Sequence, residues 1–192
     1  MGKASKESNV VMEKMAVDPE FDLMYFMSVN NSNQIEQGLL EQLETYWKAW
    51  KPLLHAYRFF RPEEEDKGYV LVFFNGDVED AVEEVWQNSP SSGMAAHNLA
   101  ISLVMLAVQG LVPQVMAGAC APLPKPDKDI RKKFKKLGLE WRDAGTVNRN
   151  YAVFTPFPYA GGCEICYLKD DCPKSAYRPQ PDCNTFCGVK LP

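Results

Sequence analysis

The chain has 192 residues, of which 46% are hydrophobic and 24% charged, and its formal net charge is -4. That length supports one domain with a sizeable core, and that mixture excludes a disordered chain. A net negative charge repels a phosphate backbone, so a nucleic-acid partner is not expected. The opening "MGKASKESNVVMEKM" has no apolar run of signal-peptide length. The most apolar stretch, 94–108, falls short of the roughly 20 residues that span a bilayer. A cytoplasmic protein with no membrane partner is the expectation.

In chain order, residues 1–9 are expected to be a flexible end. Residues 33–50 place Ile35, Leu39, Leu43, Tyr46, Trp47 and Trp50 at three- and four-residue steps, the spacing of a helix with one apolar face. Pro52 cannot donate a backbone hydrogen bond, so Leu53, Leu54 and Tyr57 are assigned to a second, reoriented helical piece. His55, beside Lys51 and Arg58, then falls on a solvated face. "RPEEEDKG" predicts an exposed loop, and "GYVLVFFNGD" (68–77), a continuous apolar run bounded by Gly68 and Asn75-Gly76, predicts a central strand covered on both faces.

Asp77 is placed to cap the next helix, with Val78, Ala81, Val82, Val85 and Trp86 on its buried side and Pro90 as its end. Ser91 or Ser92 starts a buried apolar helix through Val108, stopped by Gly110. It carries His97, read as a satisfied core histidine, and Asn98, with Ser102 on the same face. "LVPQVMAGACAP" predicts a strand containing Cys120, read as a small buried residue that can also serve as a spare ligand or thiol. Asp127 and Asp129 near the start of the following helix, four lysines toward its end and Gly138 as stop suit the helix dipole. "NYAVFTPF" (150–157) is the third strand candidate. The fold class is therefore an α/β (α+β) core over 10–158, with helices packed on a small sheet in two or three layers. Residues 159–192 form an irregular, cysteine-rich metal-binding tail.

"GMAAHNLAISLVMLAVQGLVPQVMAGACAP", "DIRKKFKKLGLEW" and "NYAVFTPFPYA" together resemble the middle of the nitroreductase family over about residues 68–160. That resemblance implies an α+β homodimer with the flavin FMN between subunits. The chain has neither the Arg-Arg or Arg-Ser-Arg start nor the Ser-Asn-Gln-Pro stretch of that family.

Five of the six cysteines, Cys163, Cys166, Cys172, Cys183 and Cys187, lie in "GGCEICYLKDDCPKSAYRPQPDCNTFCGV" (161–189). Disulfide staples want an oxidising compartment and an even count; an odd cluster without a secretory signal favours metal. Cys163-x2-Cys166 brings two thiolates to one ion from a tight turn, and nearby cysteines can complete a tetrahedral set. Pairing them with Cys183 and Cys187 gives two knuckles compatible with structural zinc and leaves Cys172 over. Using Cys172 instead gives Cys163-x2-Cys166-x5-Cys172-Pro173. This resembles the [4Fe-4S] loop of the iron-sulfur DNA glycosylases and of iron-sulfur nucleases of the RecB type, with Cys187 or Cys183 as fourth ligand. No Gly-rich phosphate loop, Ser-His-Asp series or His-Glu-x-x-His helix is present.

Two functions are consistent with these features. The first is an iron-sulfur protein that moves electrons to a bound cofactor or a redox partner, with oxidoreductase as its enzyme class. The second is a non-enzymatic accessory or binding protein whose irregular tail is fixed by zinc.

Overall fold

In a computed structural model of the chain, residues 9–115, 120–142, 146–170, 172, 175, 185–186 and 189–190 are described. Residues 1–8 of the expected flexible end, together with Cys183 and Cys187, lie outside the described residues.

The apolar run of the first half becomes the middle of a sheet. Strand β3 (Glu64–Phe74) pairs antiparallel on one side with β2 (Leu54–Arg61) and on the other with β4 (Ala152–Phe157). Strand β1 (Val11–Met15) adds antiparallel to β2, so the order is β1-β2-β3-β4. Val70, Leu71, Val72, Phe73 and Phe74 are all buried, because alternate side chains enter two different cores. Val70, Val72 and Phe74 join one cluster with the helices α2 (Gln37–Trp50), α3 (Gly76–Asn88) and α4 (Pro90–Leu111). Leu71 and Phe73 join a second with Ile130 and Phe134 of α5 (Lys128–Lys136). The protein is thus three layers deep: helices, one antiparallel sheet, and a thinner layer built around α5. This mixed α+β arrangement is the expected class. Pro156 sits in β4, whose outer edge has no partner strand among the described residues, the position where a residue without an N–H costs no ladder bond.

Several local expectations are corrected. Leu54 to Arg61 is a strand, not a second helical piece. Lys51–Leu53 makes a single 3-10 turn with Pro52 near its start, and from Leu54 the chain pairs in continuous register with β3, Leu54 opposite Phe74 through Phe60 opposite Gly68. The aromatic side chains of "HAYRFF" suit that pleated surface. The loop "RPEEEDKG" is exposed as expected, but only a turn at its tip: β3 already begins at Glu64.

Asn75, not Asp77, is the N-cap residue of α3; the Asn75 side-chain amide donates to Asp77 in the first turn at 2.8 Å. Ser89 both ends α3 and caps α4. Its N–H donates to the Val85 carbonyl at 2.9 Å while its hydroxyl accepts from the Ser92 amide, and Pro90 occupies the first turn, where it is tolerated. A Cβ at Gly110 would meet nothing, and the helix runs through it to Leu111. At 22 residues, α4 is therefore longer than the 94–108 segment and, by length and composition alone, apolar enough to cross a membrane. Half of that stretch is buried in the protein, against α2, α3 and the sheet.

The strand expected in 111–122 is not found among the described residues there. Val112 to Val115 is a turn, 116–119 lie outside the described residues, and 120–127 follow no ladder. Pro113, Pro122, Pro124 and Pro126 remove the donors a strand needs. Helix α5 ends as expected at Gly138, whose φ of +71° is the left-handed value that favours glycine.

Helix α1 (Leu23–Val29), capped by Asp22 accepting from the Tyr25 amide at 2.9 Å, and the edge strand β1 were not anticipated. Both are short, and β1 is largely exposed. The backbones of β5 (Thr185–Phe186) and β6 (Val189–Lys190) pair antiparallel with each other.

Because α4 supplies one wall of the larger core, Leu99→Ala at a fully buried position is expected to cost about 2–5 kcal/mol in urea denaturation. Met94→Ala on the same helix, 48% exposed, should stay within about 0.5 kcal/mol. A Leu99→Ala cost no larger than that of Met94→Ala would show that the helix does not hold the sheet.

Candidate functional site

The cysteine segment begins where β4 ends. Gly161, at φ +74°, turns the chain back; a Cβ there would lie 2.7 Å from the Ile165 side chain, so a side chain is doubly disfavoured. The Cys166 amide then donates to the Cys163 carbonyl at 3.3 Å. A turn of this i to i+3 kind brings its end Cα atoms within about 7 Å, close enough for two thiolates to share an ion. A second turn comes next, with the Lys169 amide on the Cys166 carbonyl at 3.2 Å, and the Cys172 amide reaches the Leu168 carbonyl at 2.8 Å. Cys163, Cys166 and Cys172 are free thiols, each half-buried.

The segment is tied to the core at Tyr167. Its amide donates to the Leu123 carbonyl at 2.7 Å, and its ring meets Trp141 edge-on at 6.4 Å, with the Lys125 ammonium 5.5 Å from the ring centre. Cys163 and Cys166 are thus brought together on one turn, with Cys172 one turn further on. Among the described residues no three His, Cys, Asp or Glu side chains form a group that could hold a metal ion. Cys163 and Cys166 alone do not complete a donor set, and the further candidates Cys183 and Cys187 lie outside the described residues. The chemistry of the described donors, soft sulfur atoms not tied up in disulfides, suits both zinc and iron-sulfur centres. Cys120, read as buried, is exposed; its carbonyl accepts from the Tyr159 hydroxyl at 3.5 Å.

Beside the segment is a cavity of about 550 Å³ at the end of the sheet. It is lined by Phe59, Arg61 and Tyr69 of the β2–β3 hairpin, by Phe157 to Ala160, by Pro124, Asp127 and Ile130 around the start of α5, and by Ile165 of the cysteine segment. The Arg61 guanidinium pairs with Asp127 at 2.5 Å. Asp127 also caps α5, accepting from the Asp129 and Ile130 amides at 2.9 Å. No motif in the sequence announced this cavity. Its walls come from segments far apart in the chain, and the assignment of Leu54 and Tyr57 to a helix removed one of them.

The remaining polar candidates are structural. His97 is half-buried and its Nδ1 lies 2.9 Å from the Tyr151 hydroxyl, the satisfied histidine expected. The Asn98 amide donates to Asn30 Oδ1 at 2.7 Å, and the buried Ser102 hydroxyl donates to the Asn98 carbonyl at 2.8 Å. His55 is corrected: it stands on β2, half-buried against Phe73 rather than on a solvated helix face. Its Nδ1 is buried without a hydrogen-bond partner among the described residues. Burial, and secondarily the charge of Lys14, holds its pKa below the ordinary histidine value.

Burial first, then the nearby carboxylates of Glu79 and Glu83, push the Tyr151 phenol up to about 12. A folded-state pKa above the unfolded value of about 10 stabilises the protein fully below pH 10, and that stability is lost as pH rises through 12. Two units correspond to about 2–3 kcal/mol. Wild-type protein should therefore lose about that much more stability than Tyr151→Phe between neutral pH and pH about 12 in urea titrations; equal losses would place the phenol in water. Comparison of the chain with protein-family models, with curated proteins and with solved structures finds no match.

Proposed function

We propose that this chain is a metal-binding protein that carries a [4Fe-4S] cluster on its C-terminal cysteine segment and works in electron transfer, in the reducing setting of the cytoplasm. The observation that carries the reading is the thiol arrangement: Cys163 and Cys166 close one turn, Cys172 sits on the next, and none of the three is in a disulfide. With Cys163-x2-Cys166-x5-Cys172-Pro173 spacing, three sulfur donors emerge from ten residues of chain, and Cys187 or Cys183 supplies the fourth. Half-burial of the three cysteines keeps a bound centre near enough to the surface to exchange electrons with a redox partner.

A structural zinc site in an accessory protein is the second reading. It is favoured by the absence, among the described residues, of a three-donor group that includes Cys172. In that case Cys163 and Cys166 pair with Cys183 and Cys187.

Iron, acid-labile sulfide and zinc analysis of protein purified without oxygen separates the readings. A brown protein, bleached by dithionite and holding about four irons per chain, is expected. A colourless protein with one zinc replaces the cluster by the structural ion, and a protein with neither metal overturns both.

Metal should order the tail without holding up the core. Ordering backbone costs on the order of 1–2 kcal/mol per residue, and the described part of the tail leaves two of its large apolar groups, Ile165 and Tyr167, 41% and 40% exposed. Thiolate coordination offers roughly 10 kcal/mol, realised only when the segment folds. The double variant Cys163→Ser with Cys166→Ser is expected to lose the metal and to be cut by protease beyond residue 159, while calorimetry still shows a cooperative melt. Complete unfolding would place the segment inside the core, and an unchanged, protected tail would show that metal is not needed.

A further inference from the structure

We infer that the cavity at the end of the sheet is a binding site for an uncharged, planar aromatic molecule. Its volume of about 550 Å³ lies in the range of small-molecule sites. Its aromatic walls are held in place from behind. The Arg58 guanidinium lies 4.6 Å from the Phe60 ring centre and 5.3 Å from that of Phe157, pinning both rings with one cation. Tyr69 packs on Phe154 at 5.1 Å, and Phe59 meets Phe134 edge-on at 5.5 Å. Of these, the half-buried rings of Phe60, Tyr69 and Phe157 offer faces and edges to a flat ligand without having to be ordered when it binds.

Charge selects among flat ligands. The Arg61 and Asp127 side chains satisfy each other across the wall, so neither is free to neutralise an ion brought inside. At the exposed rim Glu64 and Asp66 outnumber Lys67, which turns anions away. An anion placed against the apolar wall would lose water and face the two rim carboxylates, and a cation would meet rings that the Arg58 guanidinium already faces; neither cost falls on an uncharged ring system.

The inference goes beyond the metal reading and does not rest on it, because Ile165 is the sole described residue of the cysteine motif at the cavity. The probe is Nile red, an uncharged planar dye that brightens in apolar surroundings, titrated into the full chain and compared with the anionic dye 1-anilinonaphthalene-8-sulfonate. Saturable binding of one Nile red per chain is expected, with amide shifts on binding centred on Gly68 and Ile165 in NMR spectra. Ala160→Trp, which adds bulk at an exposed residue of the mouth, should weaken binding at least about tenfold. Tyr69→Ala should do the same, and Met94→Ser, at an exposed apolar residue on α4, should leave it unchanged. The inference is overturned if Nile red does not saturate, if Ala160→Trp in protein with unaltered near-ultraviolet circular dichroism binds as wild type does, or if the anionic dye binds as tightly.

Discussion

Strand β3 has no solvent face over Val70 to Phe74, and that two-sided burial dictates the rest of the architecture. Each of those side chains, buried, contributes on the order of 1.5–3 kcal/mol relative to exposure. The gain exists only if both layers are in place. Helices α2 and α4 must cover Val70, Val72 and Phe74, and α5 must cover Leu71 and Phe73. The β2–β3 hairpin can form locally, but β4 returns to the other side of β3 only after α3, α4 and α5 have been laid down. Part of both layers, α3, α4 and α5, is therefore threaded between two neighbouring strands, so β3 gains its second partner only across those helices.

What the sequence disclosed depended on how many residues agreed on one pattern. The unbroken run from Tyr69 to Phe74 permits no water-facing side, so both the strand and its central place were legible. The charge gradient of α5, with Asp127 and Asp129 at its start, four lysines behind them and Gly138 as stop, was equally unambiguous. Strand β2 was hidden because Leu53, Leu54 and Tyr57 also fit three- and four-residue steps directly after a true helix. Only the pairing of Leu54 with Phe74 and its successors, a contact between segments, decides for a strand. The cysteine pair announced its own turn by spacing. The cavity beside it could not be read that way, since its walls meet only once the hairpin, the start of α5 and the end of β4 are assembled.

The cysteine segment and the proline-rich stretch before α5 solve one problem for each other. Four prolines between Pro113 and Pro126 deny that stretch a ladder, which leaves carbonyls such as that of Leu123 without strand partners. The Tyr167 amide, in a segment that also belongs to no sheet, donates to that carbonyl, and the Tyr167 ring meets Trp141 edge-on. Two irregular pieces thus satisfy in each other the backbone groups that regular structure satisfies elsewhere. The first turns of the tail are held to the core by this contact.

Ile165 makes the turn of Cys163 and Cys166 mechanically continuous with the cavity. It stands between the two cysteines in sequence, packs on Gly161 at the start of the turn and presents its side chain to the cavity. A group held by the two thiolates fixes the turn and therefore Ile165. An occupant of the cavity bears on the same side chain from the other direction. If both places are occupied, both occupants bear on Ile165, and any coupling through it is reciprocal, the two affinities changing by the same factor. The sign depends on one geometric fact, whether the position of Ile165 that suits coordination narrows the cavity or opens it. Trimming that side chain to alanine cuts the link between the two places and leaves every cysteine intact, while also removing part of the cavity wall.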